Sequence, residues 1–553
     1  MAGQHPLTAA VIPLCSGVET LKNAVKRNIA LLSTLSAFAL PAVGATPGNA
    51  LVIANNIDAI STFDPAQVAE ALTAEILANV CDALVASDPQ DPSKYIPALA
   101  KKWDASEDGK TITFHLQDNI VFPDGSPAKA GDLVWSIHRV LSQGFGNAST
   151  LTEFGFDKQN MAQTIAAPDD KTIVLKLDRP YPVDLVVGSI AENRVAYLLN
   201  RKVVESHAKG DDMGNGWLNS NTSCVGPYSL ARWNQGESVV LQANDHYNGP
   251  SAHKLKRIII RHVAEAGTQR LLLEKGDIDV ARNLNPNDLK AIASNDKLQV
   301  SSSLQPTMYY LGMSLSDPIF AKEKVRLAMR YLVDYQGLAS SVMKDIGVPR
   351  ASFVQLGAFG ALDEKEGQPF KLDIDKAKQL LAEAGYPNGF SFKMIIGSDP
   401  YADPIAQTLQ QAAAKAGITM SIERMANAQL YAKTRARDFQ GALLGFKASV
   451  ADSNSMASRF VANPDNALGA KLTQYPSWRS SYYSEEMNKR VEAALFERDP
   501  AKRQQMYHDM QRDIMQKGPM AYIMQIQHNA AMLKTVHNWK WNGFRVYYGD
   551  ATK

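Results

Sequence analysis

The sequence predicts an α/β fold, and three observations carry that prediction. From about residue 320, helical and strand-like segments alternate, each helix leading into an apolar stretch. Several of those helices run into a glycine where a left-handed cap would close them. The first half is richer in short period-two segments separated by Asp-Gly turns. At 553 residues the chain is too long for one core, and a length prior gives roughly two to four domains.

In chain order, Leu51-Val52-Ile53-Ala54 reads as a buried strand, and Asp64-Pro65 opens a turn. Leu72, Ile76 and Val80 give 71–80 helical spacing. Residues 103–122 form a hairpin whose turn is Glu107-Asp108-Gly109-Lys110. Ile112, Phe114 and Leu116 share one face of its second strand. A helix spans 132–141 and a strand 172–177, followed by strands at 237–241 and 255–260. Helices follow at 325–333, 375–384 before Gly385, and 405–416 before Gly417, with strands at 390–396 and 418–422. A long helix spans 500–516, ending before Gly518-Pro519. Tyr309-Tyr310 either wall a cleft or sit in a core strand.

The N-terminus has a different character. Lys22, Lys26 and Arg27 precede an apolar run from Ile29 to Val43, and Val43-Gly44-Ala45 puts small residues where a signal peptidase cuts. The run is short for a bilayer span and Pro41 interrupts it. Residues 1–45 therefore read as a signal peptide with an N-terminal extension, cleaved near Ala45, and the mature chain is expected in the periplasm. Cys15 lies upstream of the apolar run, so no lipid-anchor cysteine follows it. Cys81 and Cys224 remain; in an oxidising compartment they pair, or they sit apart as buried thiols.

The whole chain has 58 basic and 56 acidic residues; losing three Lys/Arg and one Glu leaves 55 of each. Such a balance implies no nucleic-acid or anionic-membrane partner. Catalytic motifs fail on inspection. Gly109-Lys110-Thr111 resembles the end of a phosphate loop, but the loop's first glycine would fall at Asp104. Gly144 to Ser149 lacks the third glycine of a dinucleotide loop, and the ten histidines show no metal-ligand spacing. No enzyme activity, cofactor or metal is expected.

One long block resembles a known family. Ala98-Leu99-Ala100, Trp103, Ser106-Glu107-Asp108-Gly109, Thr111-Ile112-Thr113-Phe114, Val121-Phe122-Pro123-Asp124-Gly125, Ala130-Gly131-Asp132-Leu133, Ser136 and Arg139 stand in order and at the spacing of the extracellular solute-binding proteins of family 5. That family includes dipeptide-, oligopeptide- and nickel-binding proteins of ABC transporters. Gly226-Pro227-Tyr228, Leu273 to Asp279, Val325 to Ala328 and Ala377 to Tyr386 continue the resemblance.

The resemblance implies a two-lobed periplasmic-binding-protein fold (type II, cluster C like) with an extra β-rich subdomain in lobe one. Lobe one would be 46–303 plus 525–553, the extra subdomain about 90–220, and lobe two 304–524. The protein would be a monomer that captures a peptide or peptide-like small solute for an inner-membrane ABC permease. Alternatives are an opine, a sugar conjugate, or a nickel or haem complex, and more remotely a periplasmic enzyme or chaperone.

The resemblance also implies site residues. The segment from Asn79 to Ala86 borders the solute in relatives, where Leu84 and Val85 would offer backbone groups to a peptide as an added strand. Asp82 would meet a positive group, or else end the preceding helix. Peptide-binding members carry a Trp and, three residues later, an Asp that pairs with the peptide's α-amino group. Here those positions are Phe446 and Ser449, followed by Asp452. Asp452 either takes over the amine or serves as a turn or cap residue; a three-residue slip in the alignment would exchange the two positions. Arg350 would pair with a ligand carboxylate, or be an ordinary loop arginine.

Overall fold

The computed structural model describes residues 46–553 apart from 192, 250–252, 283 and 544; the signal-peptide expectation lies outside the described residues. One sheet of eleven strands runs through the molecule. Its two halves are each partly parallel. In one, Ala50–Asn55 lies parallel to both Arg257–His262 and Val280–Ala281. In the other, Ser391–Ile396 lies parallel to Thr419–Arg424 and Gly441–Lys447. Helix Ala402–Lys415 makes the crossover between the first two of these strands, as parallel pairing requires.

Two long antiparallel strands, Leu298–Met313 and Met520–Leu533, join the halves. Their register breaks between Leu304↔Gln527 and Met308↔Gln525. Pro306 sits in that break and has no N–H to give to a ladder. The Gln525 side chain fills in, donating to the Gln305 carbonyl at 2.9 Å and accepting from the Leu356 N–H at 2.7 Å. The crossing is thus a bulged ladder held by a buried amide.

A separate four-stranded sheet contains Ala100–Ala105, Thr111–Leu116, Thr172–Lys176 and Ile165–Asp169. Ile112, Phe114 and Leu116 point to one buried core with Leu133 and Ile137 of helix Ala130–Gln143. The hairpin turn places Gly109 at φ +70°, a conformation glycine adopts without a Cβ penalty. Segments next to this sheet meet helices Ser453–Phe460 and Glu485–Phe496 through the Glu153–Arg459 and Arg179–Glu492 ion pairs, and Tyr181 packs on Phe496 at 5.1 Å.

Most elements fall where the hydrophobic spacing puts them. The helices Ala71–Val80, Ile374–Glu383 and Pro500–Lys517 match their expected spans closely. Asp499 caps the last by accepting from the Lys502 N–H, with Pro500 at the first helical position. Gly385 and Gly417 both take positive φ. Tyr309 and Tyr310 lie in a core strand, nearly buried, and Tyr309 donates to Asp399 at 2.7 Å.

Cys81 and Cys224 form a disulfide. It ties the end of helix Ala71–Val80 to the loop before strand Tyr228–Asn234. Beside it the Asp82 N–H donates to the Val225 carbonyl at 2.6 Å. Gly226 packs so close that a Cβ there would lie 2.1 Å from the Val80 carbonyl oxygen.

Candidate functional site

A cavity of about 160 Å³ lies at the crossing of the two sheet halves. Glu75 reaches it from helix Ala71–Val80 and Arg282 from just after strand Val280–Ala281. Lys447 comes from the opposite half, at the end of strand Gly441–Lys447. His528 comes from the long crossing strand, and Trp541 and Arg545 from the C-terminal segment. Both halves of the large sheet, a helix and the C-terminal segment therefore contribute walls.

The walls are charged, and most charges are engaged. Arg282 grips Glu75 through two hydrogen bonds, at 2.7 and 3.1 Å, and Tyr548 also donates to Glu75. The Arg282 guanidinium lies 5.2 Å from the Trp541 ring centre. Arg545 donates to the Ala78 carbonyl and lies 3.8 Å from Asp82. Burial, reinforced by the charges of Arg282 and Lys447, holds the His528 imidazole well below its ordinary pKa, so it stays neutral. Among the described residues, no group of three His, Cys, Asp or Glu side chains is placed to hold a metal ion.

A larger cavity, about 460 Å³, opens between the four-stranded sheet's subdomain and the helix Pro500–Lys517. Tyr95, Asp184, Phe359, Asp452, Arg498 and Arg503 line it. Asp452 and Arg503 pair with each other across its wall, and Arg498 donates to the Glu107 carbonyl.

The residues singled out from the sequence fall in different places. Asp82 is buried, accepts from Tyr247, and lines a third cavity of about 140 Å³ that shares Arg545 with the first. Burial raises its pKa, opposed by Arg545 and the Tyr247 hydrogen bond. The side chains of Leu84 and Val85 are core. The Leu84 carbonyl accepts from the Ala100 N–H, and Val85–Ser87 already pairs with Tyr95–Pro97. Phe446 packs edge-on against Phe460 at 4.9 Å, and Ser449 is exposed, its hydroxyl 3.1 Å from that of Ser455.

For two residues the structure shows the non-ligand alternative that the sequence left open. Arg350 is fully buried, and its guanidinium donates to the Val354, Leu362 and Asp363 carbonyls at 2.8–2.9 Å. It staples the loop from Val354 to Asp363. Asp452 is gripped by Arg503 at 2.7 and 2.8 Å and caps helix Ser453–Phe460 through the Asn454 N–H. Both its oxygens are engaged by Arg503, and Oδ1 also accepts from the Asn454 N–H.

Glu75, Arg282, Lys447, His528 and Trp541 were not singled out from the sequence. Lys447 lies between Phe446 and Ser449 and was within reach of the motif reading. The others come from four distant segments, and no local pattern groups them.

A cavity walled from both halves of one sheet, with the chain crossing between them on two strands, is the arrangement of a binding protein built from two lobes. Residues 94–467 match the bacterial extracellular solute-binding proteins, family 5 (middle region), and the chain belongs to that family. The probable D,D-dipeptide-binding periplasmic protein DdpA of Escherichia coli strain K12 is 28% identical over 527 residues, covering 94% of this chain and 97% of that protein. Two solved structures share the fold. The periplasmic binding protein DppA of Helicobacter pylori, in complex with peptide STSA, superposes with TM-score 0.72 at 23% identity, covering 90% of this chain and 98% of that one. The binding protein AgaA of A. tumefaciens R10, in complex with agropinic acid, superposes with TM-score 0.69 at 22% identity, covering 90% and 96%. The fold is thus the two-lobed periplasmic-binding-protein fold. Among the described residues no helix is long and apolar enough to cross a membrane.

Proposed function

We propose that this protein captures a peptide or peptide-like solute between its two lobes in the periplasm and delivers it to an inner-membrane ABC permease. The observation that carries the reading is the cavity at the sheet crossing, walled by Glu75 and Arg282 on one side and Lys447 on the other. A ligand touching both walls favours the closed arrangement over the open one, and the closed form is what a permease can recognise. The name of the Escherichia coli relative and the peptide complex of the Helicobacter pylori protein support a peptide-like solute.

The register break at Leu304 and Met308 supports a boundary between lobe one, 46–303 plus 525–553, and lobe two, 304–524. The four-stranded sheet supports an extra subdomain over about 90–220. The Cys81–Cys224 disulfide supports export into an oxidising compartment after cleavage near Ala45. The protein acts as a monomer, by binding and release without turnover.

A second reading, a non-peptide solute, is favoured by Ser449, which stands where peptide-binding members carry the amine-anchoring Asp. Thermal-shift measurement with dipeptides, tripeptides, amino-acid conjugates and metal chelates tests the choice. A melting rise with dipeptides is the expected result. Silence toward every peptide, with a response to another class, overturns the peptide reading.

A further inference from the structure

This inference rests on the proposed role of the sheet-crossing cavity and concerns what that cavity selects. Three cationic side chains line it: Arg282, Lys447 and Arg545. Glu75 is the one carboxylate among its lining residues, and Arg282 and Tyr548 already hold it. Asp82 stands 3.8 Å from Arg545. Lys447, an exposed residue at the cavity rim, has no such partner: its ammonium enters no ion pair or hydrogen bond among the described residues. Trp541 adds a buried indole N–H that also has no hydrogen-bond partner among them.

The carboxylates that would greet an ammonium are missing or engaged. Ser449 replaces the expected Asp, and Arg503 grips Asp452. We propose that the solute carries a carboxylate, and that the Lys447 ammonium receives it in the cavity as the lobes close. A charge-assisted contact of this kind is about twice as strong as a neutral hydrogen bond. It also supplies the anion that the surplus of positive charge lacks. Two further effects agree. The crowding of protein around the Lys447 ammonium lowers its pKa although the residue as a whole is exposed, with Glu75 opposing and Arg194 assisting, and the neighbouring His528 is held neutral. An incoming carboxylate relieves both.

The test is calorimetric titration of the mature protein with Ala-Ala, Ala-Ala amide, N-acetyl-Ala-Ala and a set of non-peptide mono- and dicarboxylic acids with matched amides. Acids are expected to bind at least about tenfold more tightly than their amides. In Lys447→Met that preference should shrink to within about twofold, while Lys447→Arg retains it. Amides binding as tightly as acids, or an undiminished preference in Lys447→Met, overturns the proposal; so does failure of every carboxylate to bind. If only non-peptide acids bind, with the Lys447 dependence intact, the peptide reading fails and this one stands. The acid–amide comparison on the unmutated protein decides the matter even where a variant folds poorly.

Discussion

Asp452 and Arg503 meet face to face, with Nη1 2.7 Å from Oδ2 and Nη2 2.8 Å from Oδ1, and both side chains are less than a tenth exposed. The pair joins the start of helix Ser453–Phe460 to helix Pro500–Lys517. The Arg503 Nε also donates to the Ala494 carbonyl at 3.0 Å, so a third helix, Glu485–Phe496, is tied in.

Removing one partner of this pair leaves the other charge buried. Asp452→Ala and Arg503→Met are each expected to cost about 3–5 kcal/mol of stability. The double variant should lose clearly less than the sum of the two. Urea unfolding of the four proteins measures this, and simple additivity would show that the pair is not coupled.

Ser449 is exposed and its neighbourhood can admit a longer side chain. Ser449→Asp adds a carboxylate at the position where the family resemblance implies an amine-anchoring Asp. Free-amine dipeptides should gain roughly tenfold or more in affinity, the scale of a hydrogen bond to a charged group. N-acetylated dipeptides should gain nothing, and titration of both forms separates a specific amine contact from a general change.

The Cys81–Cys224 disulfide spans a sequence separation of 143 residues. Closing so long a loop restricts the unfolded chain, with a typical stabilisation of about 2–4 kcal/mol. Cys81→Ser/Cys224→Ser is therefore expected to melt several degrees below the oxidised protein. Reductant should lower the melting point of the unmutated protein and leave the double variant unchanged.

His528 gives an acid-limb prediction with a definite sign. Its folded-state pKa is depressed by burial and by the charges of Arg282 and Lys447, so the folded form refuses a proton that the unfolded chain accepts. The stability this contributes is present above about pH 6.5 and is lost as pH falls toward the depressed value, with a slope of up to about 1.4 kcal/mol per pH unit. In His528→Gln the fall between pH 7 and 5 should be shallower. Melting temperatures across that range, compared between the two proteins, provide the check.

The elements were legible because their signals are local. Gly109, Gly385 and Gly417 mark turns and helix ends through their own backbone freedom. The alternation of Ile112, Phe114 and Leu116 fixes which face of a strand is buried. The long strand Leu298–Met313 escaped such a reading, since its pattern changes where it leaves one half of the sheet for the other. The site was less legible. Arg350 and Asp452 sit at positions that suggested ligand contact, yet whether an arginine or a carboxylate is free depends on its neighbours. Those neighbours, three carbonyls for one and Arg503 for the other, come from packing.

By itself, the sequence determined the order of helices and strands and the family-wide block from Ala98 to Arg139. Only the tertiary structure decided that Cys81 reaches Cys224, that Asp452 pairs with Arg503, and that Lys447 lines one cavity with Glu75, Arg282 and Trp541 without an ion-pair partner among the described residues. The physical reason is range. Backbone preference and hydrophobic period act over a few residues. The pairing of a charge is settled by groups that may lie hundreds of residues away and meet only when the sheet is assembled.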